Sequence, residues 1–440
     1  MSQDTIFALS SGSLPSGVAV VRLSGARCRD VLEMVCGRVP AARRASLLSI
    51  RDRNGNVLDE GLVLFFPGPS SFTGEDTAEL QIHGGRATVR AVLTLLGTMD
   101  GLRAAEAGEF SRRAFENGRM DLTAVEGLAD LIAAETEMQR RLAAEHAAGH
   151  LSNLYDSWSK RLTHARAMIE AELDFADEDD VPGSVASSIW QDMRRLEQEI
   201  VHHISGARSG EIVRDGLNVV IAGPPNAGKS SLLNYLAQRD IAIVTDIPGT
   251  TRDVLHVDLD LAGFAVRIHD TAGLRETDDI VEREGIRRTE RSIADAHLVL
   301  LLSGDPDIDW ESLAGGYDGP VIRVLTKADR RDPSWSKGEA DVMISVKSGQ
   351  GLPELLDSIG AFLPDLESGG ALALPTRERH FSNLRQVLEF VSAGVAGENE
   401  GLDIRAEHLR LAGQALGRVT GRVDVENLLD VIFSEFCIGK

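Results

Sequence analysis

The run Gly223-Pro224-Pro225-Asn226-Ala227-Gly228-Lys229-Ser230 has the residue types and spacing that phosphate chemistry needs. Glycines allow backbone N–H groups to converge on α- and β-phosphates, a lysine in the place of Lys229 reaches the β/γ-phosphates, and a hydroxyl in the place of Ser230 ligates Mg²⁺. The run needs a strand before it and a helix after it. The apolar segment Leu217 to Ala222 reads as that strand, and Ser231-Leu232-Leu233-Asn234-Tyr235-Leu236 as the first turns of the helix. Together they form a P-loop.

Three downstream motifs read the rest of a nucleotide. Asp270-Thr271-Ala272-Gly273 ends the apolar segment Phe264 to Ile268, and a carboxylate there suits an outer Mg²⁺ contact while glycine admits the γ-phosphate. Thr326-Lys327-Ala328-Asp329 ends the strand Val321 to Leu325. Asp329 can accept from the N1–H and 2-amino groups of guanine, a donor pair adenine lacks. Ser345-Val346-Lys347 ends the strand Asp341 to Ile344 and offers backbone N–H to the guanine oxygen. The base expected is therefore that of GTP. Thr326 stands where asparagine is usual, keeping a hydrogen-bonding oxygen on a shorter side chain.

Between these motifs, Thr245-Asp246-Ile247-Pro248-Gly249-Thr250-Thr251-Arg252-Asp253 reads as a switch loop. A threonine there can complete Mg²⁺ coordination when a γ-phosphate is present. Leu255 to Leu261 then alternates as a half-buried strand does. Ras-type enzymes place a water-orienting glutamine directly after Asp-x-x-Gly, but here that position is Leu274. Two residues could take over its work. The side-chain oxygen of Asn226 could hold a monovalent cation beside the phosphates, or Asn226 could be mere loop tolerance. Glu282, in the acidic run Glu276 to Glu284, could position water or could belong to a solvated helix face.

These motifs, with Asp-Ile-Pro-Gly-Thr-Thr-Arg-Asp at 246–253, Phe72-Thr73-Gly74-Glu75-Asp76 and Phe436-Cys437-Ile438-Gly439-Lys440, make a chain that resembles the bacterial tRNA-modification GTPases of the MnmE (TrmE) family over essentially its whole length. The resemblance implies K⁺ contacts from Asn226, Thr245, Ile247 and Thr250. It implies Mg²⁺ contacts from Ser230 and Thr251, and Glu282 as a general-base-like residue. Asn226, Ala227, Gly228, Lys229, Ser230, Ser231, Thr245 to Thr251 (Asp246, Pro248 and Gly249 among them), Asp270 to Gly273, Thr326 to Asp329 and Ser345 to Lys347 would surround GTP. It further implies an N-terminal domain that dimerises around a tetrahydrofolate derivative (5-formyl- or methylene-tetrahydrofolate), bound by Arg22, Glu79, Arg119 and Lys440. Cys437 then becomes a thiol near that pocket. The implied activity is a K⁺-dependent GTP hydrolysis that serves addition of an aminomethyl or carboxymethylaminomethyl group to C5 of the wobble uridine of certain tRNAs. It is carried out by a homodimer in a heterotetramer with an FAD-dependent partner, MnmG (GidA); FAD belongs to that partner alone.

From the residues alone, Arg22, Glu79, His83 and Arg119 read more readily as surface ion pairs, and Cys437 as a small apolar contact.

The elements that position these residues imply a multidomain α/β and α protein. Residues 1–118 read as an α+β domain, with strands at Val18 to Leu23, Gly61 to Phe66 and Ala78 to Ile82 and a helix from Gly85 to Leu96. Helical patterning follows over 119–214, including Asp121 to Leu173 and Val185 to Arg208, with an acidic turn, Asp174 to Gly183, between them. A Ras-like P-loop α/β domain occupies 215–365, and helices resume over 366–440. Helices on both sides imply that the GTPase domain is inserted into a discontinuous helical domain.

The chain has 440 residues, 43% of them hydrophobic and 26% charged, as expected of a soluble globular protein. No eighteen-residue apolar stretch and no signal pattern is present, which implies no membrane partner. Cys28, Cys36 and Cys437 have neither zinc nor disulfide spacing, so a reducing cytoplasm is the expected setting. The net charge is −22, yet residues 1–118 balance 13 arginines against 13 acids. A broad tRNA-binding face is therefore not expected, because phosphate contacts demand a basic surface. tRNA would be held mainly through the partner. The alternative is a ribosome-assembly regulatory GTPase, which would be expected to carry a basic RNA-binding module.

Overall fold

The computed structural model describes residues 4–174, 185–239, 241–243, 256–270, 296–314, 316–330, 338–365, 373–397, 400–423, 429, 432–434, 436 and 439. It divides into two compact units, one formed by Met1–Ala129, His146–Ile189 and Glu389–Lys440, the other by Asp130–Glu145 and Trp190–Leu388.

The chain begins with β1 (Thr5–Leu9), β2 (Ser16–Ser24), α1 (Cys28–Cys36), β3 (Ser46–Arg51), β4 (Val57–Phe66), β5 (Thr77–Gly84), α2 (Arg86–Gly97) and β6 (Leu102–Ala104). The strands form one sheet in the order β3-β4-β5-β2-β1-β6, antiparallel throughout except for the parallel pair β1–β6. Side chains alternate between the faces of a strand. Val21, Leu23, Ala78, Leu80 and Ile82 therefore enter a core with Val31, Leu32, Val89, Val92 and Leu96 from α1 and α2. The residues between them, Arg22 on β2 and Glu79 on β5, fall on the other face and stand opposite each other in register. That face also carries Ile6 and Ala8, packed with Phe110 and Phe72.

Phe110 belongs to α3 (Glu109–Glu116), which is followed by α4 (Leu122–Ala133), α5 (Glu137–Ala147), α6 (His150–Asp174), α7 (Val185–Ser205) and α8 (Ala207–Asp215). The expected single helix Val185 to Arg208 is thus broken at Gly206, where α7 stops and α8 starts. A Cβ at Gly206 would stand 2.9 Å from Leu374 Cδ2, the movable end of that side chain.

The nucleotide-binding α/β fold follows: β7 (Leu217–Ala222), α9 (Lys229–Leu236), β8 (His256–Leu261), β9 (Phe264–Asp270), β10 (Leu298–Ser303), α10 (Trp310–Ala314), β11 (Val321–Leu325), β12 (Val342–Met343) and α11 (Leu352–Gly360). The strand order is β12-β11-β10-β7-β9-β8, parallel except for the β8–β9 hairpin. β10 lies at the centre and is buried along its whole length. It therefore reads as an uninterrupted apolar run rather than an alternation. The α5 start seats on the β8–β9 turn, where Met138 N–H donates to Gly263 O at 2.9 Å. Met138 and Leu142 share an apolar cluster with Val213 and Phe264.

Two long helices, α12 (Glu378–Ala396) and α13 (Leu402–Thr420), close the described fold. On α6 the buried residues Leu151, Tyr155, Trp158, Leu162, Ala165 and Ile169 recur every three or four positions, the spacing of one helix face. α6 packs along α13, which buries Leu409, Ala412, Leu416 and Val419. Among the described residues no helix is long and apolar enough to cross a membrane. The acidic stretch Asp174 to Gly183, expected to be a solvated turn, lies outside the described residues apart from the end of α6.

Candidate functional site

The phosphate loop leaves β7 at the carboxyl edge of the sheet and enters α9 at Lys229. Gly223 has no room for a side chain, since a Cβ there would stand 2.2 Å from the Leu302 carbonyl oxygen of β10. Gly228 takes φ +97° as the residue before the helix, a conformation that favours glycine. Asn226 also sits in the left-handed region, at φ +61°, which asparagine tolerates better than most residues, and it is exposed. The loop thus opens onto the N-terminus of α9, the positive end of its dipole.

Lys229 is buried, with its ammonium donating to the carbonyls of Gly223 at 2.8 Å and Pro224 at 3.1 Å. Ser230 Oγ donates to Asp270 Oδ2 at 3.1 Å, and Asp270 is itself buried at the end of β9. A hydroxyl and a carboxylate meeting at the mouth of a phosphate loop are hard oxygen donors of the kind Mg²⁺ selects. The donor set fits that ion.

The base-reading loops lie at the ends of the neighbouring strands. Thr326 follows β11, is almost wholly buried, and sends its hydroxyl to Ala227 O at 2.7 Å, with Ser303 O at 3.2 Å. Lys327 then turns the chain at φ +61° into a short 3-10 turn, Ala328–Arg330. Asp329 follows, exposed, and accepts from Ser345 Oγ at 2.7 Å. That hydrogen bond, aided by the nearby Lys347 and Arg330 cations, holds its carboxyl below the ordinary aspartate range. The side chain is therefore an acceptor at neutral pH. Ser345 commits its own N–H to Gln350 O at 2.9 Å, which leaves the N–H groups of Val346 and Lys347 as the candidates for a carbonyl on the base.

The structure therefore brings together Asn226, Ala227, Gly228, Lys229, Ser230, Asp270, Thr326 and, through Ser345, Asp329. Thr245, Asp246, Ile247, Pro248, Gly249, Thr250, Thr251, Thr271, Ala272, Gly273 and Glu282 lie outside the described residues, as do Cys437 and Lys440.

On the second face, of the N-terminal sheet, Arg22 donates from Nε at 3.1 Å and Nη2 at 3.0 Å to Glu79 Oε1. Both bonds land on the same oxygen, so Oε2 is kept clear of Arg22. The guanidinium lies 5.5 Å from the Phe72 ring centroid and 5.8 Å from that of Phe110. Phe72 opens the Phe72-Thr73-Gly74-Glu75-Asp76 stretch, whose Glu75 accepts from Ser24 Oγ at 2.7 Å and from Arg113 Nη1 at 2.9 Å. Asn117 Nδ2 donates to Thr73 O at 2.7 Å. A side chain at Gly74 would lie 3.3 Å from Arg119 Cγ, so this stretch runs from Arg22 at one end to the exposed Arg119 at the other.

Sequence reasoning noted the motif for its resemblance but did not see that it spans these two residues. The tail returns to the same sheet, where Ser10 Oγ, just beyond β1, donates to Gly439 O at 2.7 Å. Burial pushes the Cys28 thiol up to about 12 and that of Cys36 to about 11. Neither offers a thiolate near neutrality.

Comparison with known proteins places the chain in a family. Residues 5–119 match the family described as GTP-binding protein TrmE N-terminus, and residues 122–437 match the MnmE helical domain. The chain is 63% identical over 438 residues to the tRNA modification GTPase MnmE of Sinorhizobium medicae (strain WSM419), covering 99% of each chain. It is 62% identical over 440 residues to the protein of the same name from Rhizobium meliloti (strain 1021), covering 100% of each. Against that of Brucella canis (strain ATCC 23365 / NCTC 10854 / RM-666) it is 54% identical over 440 residues, covering 99% of this chain and 98% of the other.

Proposed function

The chain belongs to the MnmE family of tRNA modification GTPases, and from that membership we propose that it hydrolyses GTP to drive modification of the wobble uridine of certain tRNAs. The observation that carries the nucleotide part is the convergence of Lys229, the Ser230–Asp270 pair and the Asp329–Ser345 pair on one sheet edge. Lys229 would exchange its loop carbonyls for β/γ-phosphate oxygens. Ser230, with Thr251 from the switch loop, would hold Mg²⁺, and Asp270 would act from the outer shell. That ion supplies charge neutralisation between the β- and γ-phosphates. Asp329 would accept from guanine N1–H and the 2-amino group, while Val346 or Lys347 N–H would meet the base oxygen.

Leu274 cannot orient water, so we assign that work to Glu282 and to K⁺ held by Asn226, Thr245, Ile247 and Thr250. The exposure of Asn226, at a left-handed position in the phosphate loop, supports this reading. GTP hydrolysis would not supply transferred atoms; it would bias a two-state opening and closing of a homodimer.

The second site would take a tetrahydrofolate derivative, the source of the one-carbon unit. Glu79 Oε2 can accept from the amino edge of a pterin, and Arg22, Arg119 and Lys440 can pair with its glutamate tail. The Gly439 seat on Ser10 supports bringing Lys440 to this face. Titration with 5-formyltetrahydrofolate should release heat with the full chain and none with Glu79→Ala. Full binding by that variant would contradict the assignment.

The C5 group would be completed with the FAD-dependent partner MnmG (GidA) in a heterotetramer, in the cytoplasm, with ammonium or glycine as nitrogen source and tRNA held mainly by the partner. We also propose the division into an N-terminal domain over 1–118, a helical domain from 119–214 and 366–440, and a GTPase domain inserted over 215–365. Mass spectrometry of tRNA nucleosides from cells lacking this chain tests the whole reading. Loss of the aminomethyl-type C5 groups at wobble uridine is expected, and normal modification would overturn it in favour of a ribosome-assembly role.

A further inference from the structure

We propose that Thr326 is a positioning residue that fastens the base-reading loop to the phosphate loop, and that guanine N7 receives no hydrogen bond from this position. The inference deepens the GTP reading and rests on it. A threonine hydroxyl has a single hydrogen to donate. In this chain it is directed at Ala227 O, 2.7 Å away in the phosphate loop, with Ser303 O of β10 as the second acceptor at 3.2 Å. The Thr326 N–H is also committed, to Ser303 O at 2.7 Å.

The side chain is almost wholly buried between these two carbonyls, so turning it outward would strip an inward carbonyl of its donor. Guanine N7 is an acceptor and can be read only by a donor. An asparagine at this position would have two amide hydrogens and could serve a carbonyl and the base together; threonine serves the carbonyl alone. Selection of the base then falls on Asp329, which addresses N1–H and the 2-amino group, and on the N–H groups after Ser345, which address O6 and leave N7 untouched. The gain is mechanical. One short hydrogen bond ties Ala227, inside the phosphate loop, to the residue three places before Asp329, so base and phosphates are gripped by one connected unit.

The test uses the full chain and equilibrium binding of GDP, 7-deaza-GDP and xanthosine diphosphate, with dissociation rates. The wild type is expected to bind GDP and 7-deaza-GDP within about twofold of each other, because replacing N7 by C–H removes nothing the protein uses. Thr326→Asn should open a preference for GDP over 7-deaza-GDP of about fivefold or more, the scale of one hydrogen bond. Thr326→Val, which keeps the shape and loses the donor, should release both nucleotides about tenfold faster with no change in their ratio, and Thr326→Ser should restore slow release. A wild-type preference for GDP over 7-deaza-GDP of tenfold would overturn the inference while leaving the GTP reading intact, as would unchanged release rates in Thr326→Val. Equal binding of GDP and xanthosine diphosphate by the wild type would instead overturn the GTP reading, and the inference with it.

Discussion

Asp329→Asn is expected to exchange guanine for xanthine, lowering GDP affinity by roughly a hundredfold to a thousandfold and raising affinity for xanthosine diphosphate in the same variant. The carboxylate has only acceptors to offer, and its hydrogen bond from Ser345 with the cations beside it keeps it ionised at neutral pH. Guanine presents two donors to it, N1–H and the 2-amino group. Hydrogen bonds to a charged group contribute about 1.5–3 kcal/mol each; asparagine keeps one uncharged acceptor, so the loss falls at the lower end of the roughly 3–6 kcal/mol that the pair carries, which gives the range stated. An asparagine amide presents one acceptor and one donor, which complements the N1–H and C2 carbonyl of xanthine. Ser345 Oγ can still donate to the amide oxygen, so the loop should keep its shape. Competition between the two diphosphates, read by calorimetry, decides the matter; a variant that still prefers GDP would show that Asp329 does not read the base.

Ser230→Ala is expected to lower single-turnover GTP hydrolysis by roughly a hundredfold or more while GDP binding falls far less. The 3.1 Å bond from Ser230 Oγ to the buried Asp270 marks where Mg²⁺ would be held, and a Lewis acid on the transferring phosphoryl group is worth several kcal/mol in the transition state. Loop N–H groups and Lys229 survive the substitution and continue to hold the diphosphate. A variant that hydrolyses at the wild-type rate would place the ion elsewhere. The same assay on the wild type in potassium and in sodium salts bears on Asn226, since faster turnover in potassium is expected and equal rates would remove the monovalent-cation assignment.

The chemistry of the nucleotide site was legible in the chain because its parts are local. A glycine-rich loop sits between a strand and a helix, and β7 and β11 begin and end where their apolar runs do. β10 escaped notice although six buried residues in a row spell it out, for an uninterrupted apolar run has no period that distinguishes strand from helix. In the N-terminal unit, β1, β3, β6, α1 and α3 were not anticipated. β6 has only three residues and is a strand only through its parallel pairing with β1, a partner almost a hundred positions away. The Arg22–Glu79 pair depends on β2–β5 register in the same way. Periodicity could place each residue on a face but could not say which strands would be neighbours.

The role of Thr326 lay deeper still. Its identity was visible as a departure from asparagine, while its acceptor, Ala227, is 99 residues away in the chain.

The first compact unit gathers Met1–Ala129, His146–Ile189 and Glu389–Lys440, whereas the nucleotide-binding fold lies within the continuous stretch Trp190–Leu388. Synthesis proceeds from the amino end at roughly 5–20 residues per second, and domains generally fold as units during it. The nucleotide-binding fold can therefore mature on the ribosome while the first unit still awaits its last helices. For several seconds the nascent protein holds one finished unit while the residues that complete the other are still being made.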